Sequence, residues 1–529
     1  RQFLSAMGGG ALAAGAPAKR PNIVIILADD LGYSDIGCFG SEIETPNLDK
    51  LAARGVRFTQ MYNTARCCPS RAALLTGLYP HQAGVGRMVQ DQKRPAYRGF
   101  LNENCVTIGE ALRASGYRTL MSGKWHVGEE RPHWPVDRGF DRYFGLISGA
   151  SSYWQIDPGR TLALDGNSIK PDRPDFYMTD AFTDYAVRFL DDRKAGQPFF
   201  LYLAYTAPHW PLHAPWREIR KYSDVYRRGW DELRAHRHKR MIELGVVDPR
   251  WPLSPRDPES QPWSAAEDRD WEARRMAVYA AQVDRMDHGI GRVLDKLQQM
   301  GEADNTLVIF LADNGACAER IDLGFRNLQG KVKTAQGEVV DYGNVPSIWP
   351  GAANTFASYG LSWANASDTP FRRFKVDVHE GGIATPFIAA WASGIRARGR
   401  VVPQVGHVID LMPTCLEVAG AKYPESVGGR PITPLEGQSL VPALRGAPFA
   451  RKAPLFWEHF GNRAVRDGDW KLVASKGAPW ELYNLSADRT ELHDLASKES
   501  KRAATLAAEY DRWAERCGVL SDEELRPGR

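Results

Sequence analysis

Four mostly apolar stretches of this chain, Asn22–Ala28, Tyr117–Met121, Phe199–Ala204 and Leu307–Ala312, are rich in β-branched or aromatic residues and each gives way to a polar cluster. A continuous apolar run without alternation fits a strand covered on both faces, as in a parallel sheet flanked by helices. The endings are Asp29-Asp30, Gly123-Lys124-Trp125-His126, Pro208-His209 and Asp313-Asn314-Gly315. In doubly wound sheets ligands bind beyond the carboxyl ends of the strands, so the clusters are expected to converge. A single Asp after a strand is usually a cap or turn residue. Four such endings in one chain argue for a shared site.

The intervening segments carry helix signals. Thr45-Pro46-Asn47 opens a helix that Gly55 closes, Thr107-x-x-Glu110 is a capping box before a helix ended by Gly116, and an amphipathic pattern runs from Glu272 to Met300. This alternation predicts an α/β fold: a large, mostly parallel central sheet flanked by helices. Pro386–Trp391 adds a strand and Val408–Ala419 a helix, after which the Pro- and Gly-rich stretch Tyr423–Pro448 reads as a linker. Beyond it, a hairpin on an Asp-Gly turn (Ala464–Val473), a strand at Trp480–Tyr483 and a helix over Lys501–Cys517 predict a smaller C-terminal α+β subdomain. The expected division is 1–18 outside the fold, 19–447 as the main domain with an insertion at about 213–271, and 448–529 as the subdomain.

Composition narrows the classes. A formal net charge of +4 on 529 residues is too small to argue for nucleic acid or an anionic membrane as partner. No stretch after the N-terminus approaches the roughly 20 apolar residues of a membrane span. Seven cysteines without a CxxC pair make neither a disulfide framework nor a zinc motif, and buried free thiols are the expectation. Arg1–Ala18, with a charged start, a small apolar middle and Ala16-Pro17-Ala18, reads as an export signal resembling a trimmed twin-arginine type, which implies a periplasmic or secreted protein.

The segment Thr64-Ala65-Arg66-Cys67-Cys68-Pro69-Ser70-Arg71 stands at a helix start. Pro69 fits the first turn, so free backbone N–H groups and the positive end of the helix dipole face whatever residue 67 carries. Arg71, one turn on, adds a positive charge on the same side, making a natural site for a small tetrahedral anion. Asp29, Asp30, Asp313 and Asn314 offer hard oxygen donors only, which suit Ca²⁺ or Mg²⁺ better than zinc.

Cys67-x-Pro69-Ser70-Arg71 followed by Leu75-Thr76-Gly77 resembles the signature of the type I sulfatases, and the likeness extends from about Pro21 to Leu495. The family belongs to the alkaline phosphatase superfamily. The resemblance implies that a maturation enzyme oxidises Cys67 to formylglycine, whose hydrate attacks the sulfur of a sulfate ester. It carries the metal role, usually calcium, onto Asp29, Asp30, Asp313 and Asn314, with residue 67 completing the shell. Lys124 and Lys375 then bind sulfate oxygens, His126 bonds the formylglycine hydroxyl, and His209 protonates the leaving oxygen. After Glu380-Gly381-Gly382 this chain reads Ile383-Ala384-Thr385-Pro386, where many members have an arginine. The implied substrate is a sulfated small molecule or glycan. Rival readings are a phosphonate monoester or phosphodiester hydrolase of the same superfamily, and a non-catalytic sulfated-glycan binding protein.

Two segments are expected to form substrate walls: the Trp- and Arg-rich insertion, with Trp216, Trp230, Trp251, Trp263 and Trp271, and the irregular stretch 324–369, with Trp349 and Trp363. His213 reads as structural.

Overall fold

A computed structural model describes residues 19–526 apart from 172, 174, 324 and 397. The signal-like segment 1–18 lies outside the described residues. The central sheet is built from β1 (Asn22–Asp29), β2 (Val56–Tyr62), β3 (Arg118–Gly123), β4 (Arg142–Leu146), β5 (Leu162–Leu164), β6 (Asn167–Ile169), β7 (Phe199–Pro208) and β8 (Thr306–Ala312). After a separate ribbon of β9 (Asp341–Tyr342) and β10 (Thr355–Phe356), it is completed by β11 (Ala384–Ala390) and β12 (Arg400–His407). The ten strands lie in the order β12-β2-β11-β8-β1-β7-β3-β4-β5-β6. From β8 to β4 the strands are parallel, whereas β11 and β5 run antiparallel to their neighbours.

The four apolar stretches are thus adjacent: β8, β1, β7 and β3 form the centre of the sheet. Every residue of β1, β7 and β8 is buried, which explains why none of them alternates polar with apolar residues. One helical layer contains Pro46–Arg54, Met178–Asp191 and the long helix Arg269–Gln299, and the other contains Cys67–Thr76, Ile108–Ala114 and Leu411–Ala419. Ala28 pairs with Ala312, Leu27 with Ala204, and Gly123 also with Ala204, so the central strands end level with one another.

Local signals were met unevenly. The Thr107–Glu110 capping box forms in both directions, with Glu110 N donating to Thr107 Oγ1 at 3.0 Å and Thr107 N to Glu110 Oε2 at 2.7 Å. Thr45 does not cap the helix it precedes. Asp287, from the long helix, accepts from Asn47 N at 3.1 Å and Leu48 N at 2.8 Å instead. The stretch read as a linker holds the ribbon β13 (Ser426–Val427) and β14 (Arg430–Pro431) and a short helix, Val441–Arg445, and it buries Leu440, Val441, Ala443 and Leu444. Its apolar side chains outweigh its Pro and Gly content and hold it against the main body.

The C-terminal sheet is an antiparallel meander of β15 (Leu455–His459), β16 (Asn462–Asp467), β17 (Trp470–Ala474) and β18 (Glu481–Asn484), with the helix Ser500–Cys517 against it. Asp467 pairs with Trp470, so the turn is Gly468-Asp469, one step later than the Asp-Gly reading. Gly468 takes the positive φ of 56° that other residues resist. Of the insertion's tryptophans, Trp230, Trp251 and Trp271 are buried, and Trp263 packs edge-on against Trp230 at 4.8 Å. All seven cysteines are free and buried. Among the described residues no helix is long and apolar enough to cross a membrane.

Candidate active site

The carboxyl ends of β8, β1, β7 and β3 deliver Asp313 and Asn314, Asp29 and Asp30, His209, and Lys124 and His126 to one buried cluster. Lys124 Nζ donates to Asp29 Oδ2 at 2.6 Å. Asp30, held at φ 63°, receives Asn314 Nδ2 on Oδ1 at 2.7 Å, and Lys375 Nζ lies 2.8 Å from the same oxygen. His209 Nε2 lies 3.4 Å from Asp30 Oδ2, while its Nδ1 is 2.6 Å from the Trp210 carbonyl. With Nδ1–H donating to that carbonyl, Nε2 is the nitrogen left to exchange a proton within the site. Lys375 comes from a loop, which is pinned where Lys375 N donates to Ala316 O at 3.0 Å, just beyond β8.

Cys67 is the first residue of the helix Cys67–Thr76, with Arg66 as its N-cap and Pro69 in the first turn. It is buried, and its sulfur lies within 4.8 Å of ligand atoms of Cys68 and His126. The hydrogen bond from Cys68, and then the charges of Lys124 and His126, pull the Cys67 thiol well below its ordinary pKa against the opposing effect of burial. Residue 67 therefore stands in surroundings that stabilise negative charge. His126 also has positive φ, 58°, and a Cβ on Gly149 would stand 2.5 Å from its Nε2. Only a residue without a side chain fits behind this ring.

Arg71 sits differently from the sequence expectation of a charge facing an anion. Its Nε donates to Asp313 Oδ2 at 2.9 Å, its Nη2 lies 2.8 Å from the same oxygen without a hydrogen bond of its own, and its Nη1 donates to the Lys124 carbonyl at 2.9 Å. It is fully buried and braces the carboxylate and the Lys124 backbone together.

Each acid of the cluster has a cationic partner, yet burial still disfavours the charged form of two of them. Burial lifts Asp313 to about 8, with the neighbouring Asp29 adding to the effect, and lifts Asp29 to about 6 against Lys124 and Arg71. Asp30 stays low because His209 and Lys375 outweigh its burial. Asp29 Oδ1 and Asn314 Oδ1 are buried without any hydrogen-bond partner. Orphaned hard oxygens beside three carboxylates fit a divalent cation of the Ca²⁺ or Mg²⁺ kind, which would satisfy both atoms and favour the ionised acids.

Glu319 belongs to this site and carried no sequence signal beyond standing five residues after Asn314. It pairs with Arg66 at 2.9 Å, accepts Trp210 Nε1 at 3.0 Å and lies 3.9 Å from Lys375 Nζ. Asp368 was equally silent, and it receives Tyr33 N at 3.2 Å and Ala316 N at 3.0 Å, tying the loops after β1 and β8. His213 is structural: Nε2–H donates to Thr355 O at 2.6 Å and Tyr153 N faces Nδ1 at 3.3 Å.

A parallel-centred sheet whose strand ends gather acids, lysines and histidines around a helix-start cysteine defines the alkaline-phosphatase-like α/β class. A sequence model described as Sulfatase matches residues 21–421, and one described as N-sulphoglucosamine sulphohydrolase, C-terminal, matches residues 372–512. The chain is 36% identical to an uncharacterized sulfatase of Schizosaccharomyces pombe, over 91% of each chain. It is 35% identical to the arylsulfatase of Klebsiella aerogenes, over 84% of this chain and 97% of that one. The solved structure of Ps i-CgsB in complex with k-i-k-neocarrahexaose superposes with a TM-score of 0.64 at 27% identity, covering 94% of this chain and 93% of that one. The chain belongs to the sulfatase family and is a sulfuric ester hydrolase.

Proposed function

We propose that this enzyme hydrolyses a sulfate monoester using a formylglycine made from Cys67 by a maturation enzyme, with a divalent cation, Ca²⁺ before Mg²⁺, held by Asp29, Asp30, Asp313 and Asn314. The observation that carries the reading is the buried convergence of four strand ends on Cys67, with two ligand oxygens left unpartnered. The aldehyde hydrate supplies the attacking hydroxyl and a second one for sulfate release, and the cation supplies positive charge beside the transferring group.

The remaining work falls to this chain's own side chains. Lys124 and Lys375 present ammonium groups to the sulfate oxygens, where charge accumulates as the ester bond breaks. His209, with Nδ1 tied to the Trp210 carbonyl, gives the proton on Nε2 to the departing oxygen. In the resting site burial lowers this imidazole to about 4 against the pull of Asp30, so Nε2 is bare at pH 7 and takes up from solvent, as the negatively charged ester enters, the proton it then gives to the leaving oxygen. His126 holds the hydroxyl of residue 67, and Arg71 keeps Asp313 and the Lys124 backbone in register.

The test is peptide mass spectrometry across Cys67 on protein matured in its native host, with assays of an aryl sulfate and an aryl phosphonate on the same sample. The expected result is an aldehyde at position 67, preferred turnover of the sulfate, and none by Cys67→Ala. An intact thiol with no sulfate release would sink the mechanism, and preferred turnover of the phosphonate would reassign the substrate.

A further inference from the structure

One aromatic pair on the surface is arranged about a cation. Trp216 and Trp349 keep 60% and 50% of their surface exposed, although they lie 133 positions apart in sequence. Between them stands Arg274 of the long helix, its guanidinium carbon 4.9 Å from the Trp216 ring centroid and 5.9 Å from that of Trp349. The arginine is held in place by Nε donating to Pro350 O at 2.9 Å. Among the described residues no carboxylate pairs with it. Burial, the one influence on its pKa, pulls it down to about 10. Arg217 and Arg220, on the short helix that Trp216 begins, are also exposed and make no ion pair among the described residues.

This platform is linked to the catalytic cluster by a short, pinned stretch of chain. Trp216 follows His209 by seven residues, and the chain between them is pinned to the segment carrying Trp349: Leu212 N donates to Ala357 O at 2.9 Å, and His213 bridges to Gly351. Seven residues reach at most about 25 Å fully extended, a span that a few linked sugar rings can cover.

We propose that Trp216, Arg274 and Trp349 form a remote subsite for a sulfated glycan chain whose scissile sulfate lies in the catalytic cluster. The indole faces stack on sugar rings, and the unpaired guanidinium takes a second sulfate group of the chain by a charge-assisted hydrogen bond. A second copy of this protein is the competing occupant. It would bring apolar surface but has no reason to meet an uncompensated cation, and Arg217 and Arg220 add to that positive field. The inference rests on the sulfatase reading and narrows it, from any sulfate ester to an oligomeric sulfated carbohydrate.

The experiment compares wild type with Trp216→Ala, Trp349→Ala and Arg274→Gln. Hexasaccharides of carrageenan, chondroitin sulfate and heparin, with their desulfated forms, are titrated calorimetrically, and turnover of an aryl sulfate is followed in parallel. Each tryptophan variant is expected to bind at least one sulfated hexasaccharide roughly five- to tenfold more weakly. Arg274→Gln should remove the preference over the desulfated form, and all three variants should keep wild-type turnover of the aryl sulfate. Unchanged hexasaccharide binding in all three would overturn the subsite. So would a wild-type dimer in light scattering that Trp216→Ala dissociates, because the patch would then be a self-association face. Loss of aryl sulfate turnover in wild type, with hexasaccharide binding intact, would instead fault the catalytic reading alone.

Discussion

Arg71 follows Cys67 by one helical turn, yet its guanidinium is spent on Asp313 and the Lys124 carbonyl. Arg71→Ala should lower the unfolding free energy by about 3–5 kcal/mol, because it strips a buried carboxylate of its partner. Thermal unfolding checks this, and Arg71→Lys should recover only part, since an ammonium cannot span both acceptors. His213 provides a pH test away from the cluster. Burial holds it at about 4, against the help of the Thr355 carbonyl, whereas an unfolded histidine titrates near 6.5. Over that window the unfolded chain takes up a proton that the folded chain excludes. Its stabilising contribution is therefore complete above about pH 6.5 and is lost as pH falls toward 4, roughly 3 kcal/mol in all. Urea unfolding at pH 7 and pH 5 should show wild type losing more stability than His213→Asn. At this scale the sequence disclosed the chemical types well: Asp29, Asp30, Asp313 and Asn314 were legible as hard donors because each follows an apolar run. Glu319 was not, because an acidic residue in an irregular loop has no pattern until Arg66, Trp210 and Lys375 surround it.

Elements were legible where their signals are local. The Thr107–Glu110 capping box depends on residues three apart and formed as read, while the cap on Pro46–Arg54 comes from Asp287, 240 positions away, which no local rule finds. The end of β3 depends on a similar distant fit. Gly123 has φ +122°, and a Cβ there would stand 1.9 Å from Ala204 O of β7. Gly123→Ala should therefore push β3 off β7 and displace Lys124 and His126 together. We expect at least a hundredfold fall in kcat/KM on an aryl sulfate, as for misplaced catalytic groups generally, with a lower Tm by calorimetry. A variant with wild-type kcat/KM would show that the strand end tolerates the shift.

Across the whole molecule, the C-terminal sheet is joined to the main domain by a buried ionic knot. Lys471 of β17 lies 3.0 Å from Glu380 and 2.8 Å from Glu491, and Arg489 donates to Glu380 at 2.9 Å. Lys471→Met should destabilise by about 3–5 kcal/mol by leaving Glu491 without a cation and Glu380 with Arg489 alone, and wild type should unfold in one calorimetric transition because both parts share these charges. Two separated transitions in wild type would contradict that coupling. Ca²⁺ at a hundredfold excess over its Kd should add about 2.7 kcal/mol of stability, and a chelator should remove it, since an ion bound only by the folded state stabilises by mass action. The sequence by itself determined the class of fold and the chemistry available to it, because buried strands demand uninterrupted apolar runs and strand ends are where polar residues can gather. Only the tertiary structure decided that Arg71 faces Asp313, that Glu319 joins the site, and that Trp216 and Trp349 share one arginine. Those pairings join residues far apart in the chain or depend on which way a side chain turns, and strand order, register and loop closure decide both.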